Sequence, residues 1–118
     1  MKKFLVLYMA PAFNLEQWLK IAPEERKLDE ATMKVGWDAW IAEHRAILTG
    51  VTAGAGKTKR VTADGIEDVK NDVMLYSIVE AGSHEEAAEA FKAHPHFGIP
   101  SSWIDIMPIN PLSGMGEV

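Results

Sequence analysis

The residues of this sequence best suited to proton transfer or metal binding are His94 and His96, which flank Pro95. Imidazole titrates near neutral pH and also ligates metals, so two rings turned toward one region could do either. A metal site would need a third ligand from Asp105, His44 or a glutamate, and no metal or other cofactor is assigned on two ligands. A structural alternative is that His94 caps carbonyls at a helix end while Pro95 fixes the turn.

Asp105 is the third candidate catalytic residue, because it stands between Ile104 and Ile106 in a segment with a strand pattern. Strand alternation puts its carboxylate on the face away from the two isoleucines. If it met His96 in a cleft, the carboxylate would orient the imidazole and raise its basicity, giving a general base that needs no cofactor. A solvated aspartate on an exposed edge strand is the alternative.

Aromatic and imidazole side chains are the candidates for lining a ligand pocket. Tyr8 and Tyr76 lie on predicted strands, where a ring can pack while its hydroxyl faces a cavity. The other candidates are Trp37, Trp40, His44 and Trp103. Aromatic residues at helical spacing are also typical of a plain hydrophobic core, so both interpretations stay open.

Hydrophobic patterning predicts the elements that must position these residues. Nearly every position in Lys3–Met9 and Val73–Val79 is apolar, which is typical of strands buried on both faces. A short helix capped by Asn14 and a long one from Pro23 to about Leu48 are expected between these strands, and a capping box at Ser83 opens a third helix through Ala93. The apolar stripe of the long helix comprises Val35, Trp37, Trp40, Ile41, His44, Ile47 and Leu48.

Weaker signals fill the rest of the chain. A basic, solvated edge strand is predicted over Lys57–Thr62, and a last strand over Trp103–Ile109. The glycines of segment 53–56 favour a flexible connection, and the acidic segment 67–72 favours a charged loop. The order strand–helix–strand–strand–helix–strand is typical of the ferredoxin-like α+β fold, in which both helices cover one face of an antiparallel sheet.

The other face of that sheet would lack a cover. The two most apolar strands place large side chains on both faces, and an exposed apolar patch of that size is rare on a soluble monomer. We therefore expect a second copy of the chain to cover it in an isologous homodimer, with the tail beyond Pro108 reaching across the partner.

Length and charge restrict the function classes. With 118 residues, 47% of them hydrophobic and 25% charged, the chain is expected to form a single domain over residues 1–118. The net charge of -5 disfavours nucleic-acid and membrane-surface partners, and no cysteine is present to form a disulfide or a thiolate site. Lys2 and Lys3 precede an apolar run too short for a signal peptide, so a strand and a cytoplasmic protein are predicted.

Several segments of the chain resemble the YCII-related, or DGPF-domain, proteins. They are Phe4–Tyr8, Val61–Gly65, Leu75–Ala81, Glu85–Ala87, His94–Phe97 and Ile104–Ile106. The resemblance covers nearly the whole chain and implies a dimeric α/β barrel, a fold whose relatives include muconolactone isomerase and cofactor-independent monooxygenases. It also implies a His with an Asp as a candidate catalytic pair. Ile66 and Glu67 stand where a Pro and a Phe name the DGPF motif, and no histidine occurs early in the long helix.

Three functions remain open at this point. The chain is a homodimeric module that binds a small organic molecule in a cleft, or a cofactor-independent isomerase, lyase or hydrolase with a histidine base and Asp105 as its orienting group, or a structural unit without a ligand. Convergence of Asp105, His94 and His96 around a concave space would favour the enzyme.

Overall fold

The computed structural model describes residues 1–112, which form an α+β fold with antiparallel sheets. The strands of this part of the chain are Lys2–Met9 (β1), Thr52–Gly54 (β2), Thr58–Thr62 (β3), Gly65–Val69 (β4), Val73–Ala81 (β5) and Trp103–Pro108 (β6). The helices are Ala12–Leu19 (α1), Pro23–Glu43 (α2) and His84–Ala90 (α3), followed by a 3-10 turn at Pro95–Gly98. Most of the tail expected to reach across a partner lies outside the described residues.

The main sheet has the strand order β2-β5-β1-β6, and every neighbouring pair is antiparallel. β1 is an inner strand, with Phe4 opposite Val79 of β5 and Val6 opposite Ile106 of β6. Both of its edges are therefore hydrogen-bonded. The two continuous apolar runs predicted to be strands are confirmed as β1 and β5, the two inner strands.

The outer strand beside β5 is not the one that the sequence predicts. β2 occupies that position. The basic segment predicted as an edge strand forms β3, which pairs with β4 in a separate hairpin in which Val61 lies opposite Ile66. The predictions of a flexible connection at 53–56 and a charged loop at 67–72 are wrong where β2 and β4 form. β2 is short and made of small residues, and nearly all of the hairpin is exposed. Neither segment therefore shows the alternation of apolar and polar residues that predicts a strand.

The two N-terminal helices differ from expectation at their ends. Asn14 lies inside α1 and donates to the Pro100 carbonyl, so the prediction that it caps the helix is wrong. α2 begins at Pro23 as predicted, with two glutamates in its first turn, where the helix dipole favours negative charge. It ends at Glu43 rather than near Leu48, and turns cover the remaining residues.

α3 begins where the capping box predicts. The Ser83 hydroxyl accepts the backbone N–H of Glu86 at 3.1 Å, which satisfies a donor that the first helical turn would leave free. The helix ends at Ala90 instead of Ala93, because the chain continues through tighter turns with i to i+3 hydrogen bonds. These turns lead directly into the 3-10 turn that carries the two imidazoles.

The hydrophobic core lies between one face of the sheet and the helices. Its buried members are Phe4, Val6, Tyr8, Val79, Ala81, Trp40, Ala87 and Phe91. Trp37 and Ile41 of α2 pack against this cluster, but Val35, predicted on the same stripe, is 71% exposed. None of the described helices is long and apolar enough to span a bilayer.

The opposite face of the sheet, which we call the open face, carries the alternate residues. Its apolar side chains are Leu5, Leu7, Met9, Tyr76, Ile78 and Met107, which are direct cross-strand neighbours or alternate along one strand. All are partly exposed, and none belongs to the core cluster of residues 1–112. The smallest dimension of the fold is 20 Å, enough for one sheet and one helical layer at about 10 Å between layers.

The radius of gyration shows the same extended shape. It is 16.4 Å, whereas a compact domain of this length has roughly 13.5 Å. A shape this flat buries less apolar surface within one chain than a compact domain would.

Gly50 lies against the backbone of β5. A methyl group there would be 2.7 Å from the carbonyl oxygen of Ile78 and 2.9 Å from its Cβ. We expect Gly50→Ala to lower the free energy of unfolding by about 1–3 kcal/mol, because β5 would have to shift. Gly54→Ala, whose methyl would meet nothing within 4 Å, should be neutral or slightly stabilising. Chemical denaturation measures both, and equal stability of the two variants would contradict this packing.

Candidate functional site

The two imidazoles of the sequence-predicted site lie inside the protein. His94 is 2% exposed and His96 is 0% exposed. The rings of Trp37 and Trp40 stand 4.4 Å from the His94 ring between centroids, and that of Tyr8 stands 5.2 Å away. The sequence therefore places both histidines in an aromatic core, where a solvent-borne reactant has no direct access.

The tautomer of His94 follows from its hydrogen bond. The backbone N–H of His96 donates to His94 Nδ1 at 2.9 Å, so Nδ1 carries a lone pair and the neutral ring holds its proton on Nε2. Nε2 has no hydrogen-bond partner among residues 1–112. Burial lowers the pKa of His94 to about 3, with further lowering from His96 and His44. His94 is thus a neutral cap that accepts an N–H, not the predicted cap of helix carbonyls.

His96 ties the 3-10 turn to the end of β1. Its Nε2–H donates to the Met9 carbonyl at 2.8 Å, while Nδ1 has no partner among residues 1–112. Burial lowers the pKa of His96, and the hydrogen bond to the Met9 carbonyl opposes that shift. The Ser102 hydroxyl donates to the His96 carbonyl at 3.1 Å. These hydrogen bonds give His96 a structural role, because they join the 3-10 turn to β1 and to Ser102.

Asp105 lies on the opposite face of the sheet from the imidazoles. Ile104 and Ile106 pack against the core, so alternation along β6 turns the Asp105 carboxylate to the open face, where it lies opposite Leu7. It is exposed and accepts the indole N–H of Trp103 at 3.2 Å. The structure does not bring Asp105 to His96, so the catalytic pair considered from the sequence is not formed.

The six residues expected to line a pocket divide between two places. Tyr8, Trp37, Trp40 and His44 join the core around His94, with the Trp40 and His44 rings stacked at 4.3 Å. Tyr76 and Trp103 lie on the open face and its edge. The first four are brought together by close packing of their rings around His94.

A chain of hydroxyl groups leads from the core to the edge of the sheet. Tyr8 Oη and Ser77 Oγ are 2.9 Å apart, and Ser77 Oγ is 2.8 Å from Thr52 Oγ1. Burial raises the pKa of Tyr8, and the hydrogen bond with Ser77 opposes it. Ser77 interrupts the apolar run Val73–Val79, and this interruption is the sequence signal for the network. Its role is to satisfy the buried Tyr8 hydroxyl.

An open cleft of about 1290 Å³ lies away from the imidazoles, between α1, the β3–β4 hairpin and the start of β5. Its apolar lining consists of Ala10, Ala12, Leu15, Leu19, Ala55, Val69, Val73, Met74 and Leu75. Its polar lining includes Glu16, Lys57, Thr58, Lys59, Asp68, Lys70 and Asn71. Ligand sites in proteins typically combine such a mostly apolar wall with a few polar groups.

Contacts between residues that are distant in sequence fix the position of α1 relative to β5 and the hairpin. Asp72 accepts the backbone N–H of Ala12 through Oδ1 and that of Ala10 through its carbonyl, both at 3.0 Å, which fixes the start of α1 against β5. Lys70 at the base of the hairpin forms an ion pair with Glu16 of α1 and lowers the pKa of that carboxyl. Sequence reasoning missed this cleft, because local patterns do not show where α1 and the hairpin meet.

No protein-family model matches the chain, and no curated protein matches it. Among residues 1–112, no group of three histidine, aspartate or glutamate side chains gathers as a metal site. The function is therefore argued from the placement of these residues and from the cleft.

Acid should destabilise the fold through His94. Its pKa is about 3 when folded, against an ordinary value of 6.5, so between these values the unfolded chain binds the extra proton. We expect the free energy of unfolding to be unaffected by this group above pH 6.5, and to fall below it by up to about 1.4 kcal/mol per pH unit.

Denaturation at a series of pH values from 7.5 to about 4 measures this slope. His94→Phe should be less stable at pH 7 but show a flatter dependence on pH, because the titrating group is gone. Trp37→Phe, which loosens the same cluster and keeps the imidazole, should retain the wild-type slope. An unchanged slope in His94→Phe would contradict the assignment.

Proposed function

We propose that the chain binds a small organic molecule in the cleft between α1, the β3–β4 hairpin and β5, and that it does so as a homodimer. The cleft carries this proposal, because it is concave, mostly apolar and edged by a few charged groups. Leu15 and Leu19 of α1 line it and are 44% and 59% exposed, so apolar surface is available to a ligand.

Binding is favoured over proton transfer by the burial of the imidazoles. A general base must lie within hydrogen-bond reach of the proton that it removes, directly or through one water. His94 and His96 are sealed beneath aromatic rings, and Asp105 faces away from both. The cofactor-independent enzyme with a His/Asp pair would need a rearrangement of this core, and the binding module needs none.

The strand order supports a ferredoxin-like arrangement for the main sheet. Read from β6, the order β6-β1-β5-β2 is that of four antiparallel strands in which the first and third are central. α1 with α2, and α3 with the 3-10 turn, form the two helical connections. Together with the resemblance to the YCII-related proteins, this order supports assignment to the dimeric α/β barrel type.

The open face supports the homodimer. A fully buried leucine or isoleucine side chain stabilises a protein by about 1.5–3 kcal/mol relative to an exposed one, and six apolar residues cluster on this face. A second copy presents the same residues, so an isologous contact would bring the apolar side chains of both copies together. The flat shape of the chain leaves this face free for such a contact.

Leu5 lies at the centre of the open face, opposite Ile78 on one side and Met107 on the other. We expect Leu5→Lys to weaken the dimer by about 100-fold or more, because the interface would bury an unpaired charge from each copy. Val35→Lys, at a site of α2 that is 71% exposed, is the matched control and should leave the dimer intact. Light scattering over a concentration series measures both, and equal masses for the two variants would contradict this interface.

Ligand binding in the cleft can be tested by thermal shift with a library of small organic acids, alcohols and amines. A compound present at 100 times its dissociation constant stabilises the native state by about 2.7 kcal/mol, a shift of several degrees for a domain of this size. Leu15→Asp should remove the shift by placing a charge on the apolar wall. Leu28→Asp, on an exposed part of α2, should not.

The proposed function would be overturned by a library without hits, or by hits whose shifts survive Leu15→Asp. Both aspartate variants replace exposed leucines, so loss of folding does not confuse the comparison. The melting temperatures without ligand check this directly.

A further inference from the structure

Resting on the proposed function, we infer that the ligand of the cleft is a monoanion with an apolar body, that is, a carboxylate attached to a hydrocarbon or aryl group, and that Lys57 is its charge partner. The inference depends on which charges of the rim are already used, and on what the wall of the cleft can contact.

The rim of the cleft is richer in cations than the protein as a whole. Lys57, Lys59 and Lys70 line it, against the carboxylates of Glu16 and Asp68. The chain carries a net charge of -5, so a local excess of positive charge runs against the average field. Such an excess raises the local concentration of small anions and disfavours cations.

Two of the three lysines are neutralised within the fold. Lys59 lies 2.7 Å from Asp68, and Lys70 pairs with Glu16. Lys57 takes part in none of the ion pairs formed by residues 1–112. The rim therefore has one uncompensated positive charge, which matches a ligand of one negative charge.

The wall of the cleft matches an apolar body. Leu15 and Leu19 are four residues apart on α1 and thus lie on the same helix face. Val73 and Met74 of β5 line the cleft beside them. An apolar body placed on this wall would remove exposed leucine surface from water, which supplies affinity that a hydrophilic ligand would not gain.

A phosphate group fits the cleft less well than a carboxylate. No arginine lines it, so the two-pronged recognition typical of phosphate sites is lacking from its described lining. The start of α1 is also occupied, because Asp72 accepts the N–H of Ala12 there. A single lysine suits a single charge.

Matched ligand pairs test the charge. Decanoate with decanamide, and 1-naphthoate with 1-naphthamide, differ within each pair only in the anionic group, and the two pairs separate a chain-like body from an aryl one. At low ionic strength we expect the carboxylate of at least one pair to bind about five-fold or more tightly than its amide in calorimetry. Raising the salt to 0.5 M should reduce this preference.

Variants connect that preference to Lys57. Lys57→Gln should bring the carboxylate and its amide to within about two-fold, without changing the affinity for the amide. Lys27→Gln, an exposed lysine of α2 outside the cleft, is the matched control and should keep the wild-type preference.

Each remaining outcome decides one proposal. If amide and carboxylate bind equally and both are lost in Leu15→Asp, the ligand class is overturned while the proposed function stands. If Lys57→Gln keeps the full preference, the assignment of Lys57 is overturned. If neither member of either pair binds, the ligand class is overturned, and the wider library screen alone decides the proposed function.

Discussion

One helical layer packs against a sheet whose inner strands are apolar on both faces. Along β1, Phe4 and Val6 point to the helices and Leu5 and Leu7 point away. Since side chains alternate with a period of two residues, no shift of the strand can bury both sets in the same layer. The thin shape and the partly exposed second face follow from this constraint, and so does the proposal that a second copy covers that face.

The same layer determines what the imidazoles can do. Both rings pack against Tyr8, the α2 tryptophans surround His94, and this burial favours the neutral form of each imidazole. The hydrogen bond from His96 to the Met9 carbonyl fixes the 3-10 turn to β1. Buried polar groups without partners destabilise a fold, and among residues 1–112 His94 Nε2 and His96 Nδ1 are two such groups. The proposed ligand site lies elsewhere, in the cleft between α1, the β3–β4 hairpin and the start of β5, where apolar side chains are in contact with solvent.

Short sequence patterns correctly predicted the elements whose formation depends on neighbouring residues. The continuous apolar runs predicted β1 and β5, Pro23 predicted the start of α2, and the capping box at Ser83 predicted that of α3. β2 was missed because its small residues form a strand only through pairing with β5. The cleft was missed for the same reason, since Asp72 and the Lys70–Glu16 pair join segments far apart in sequence. None of the nine residues predicted to be catalytic or to bind a ligand lines the cleft. Burial rather than residue type separates the structural histidines from a reactive site.

The most direct test of the central constraint is the mass of the wild-type protein in solution. Sedimentation equilibrium over about 1–200 μM should show a species of twice the 13.0 kDa chain mass, dissociating only at the lowest concentrations. A mass of one chain at every concentration would mean that the open face tolerates water, and would contradict the account.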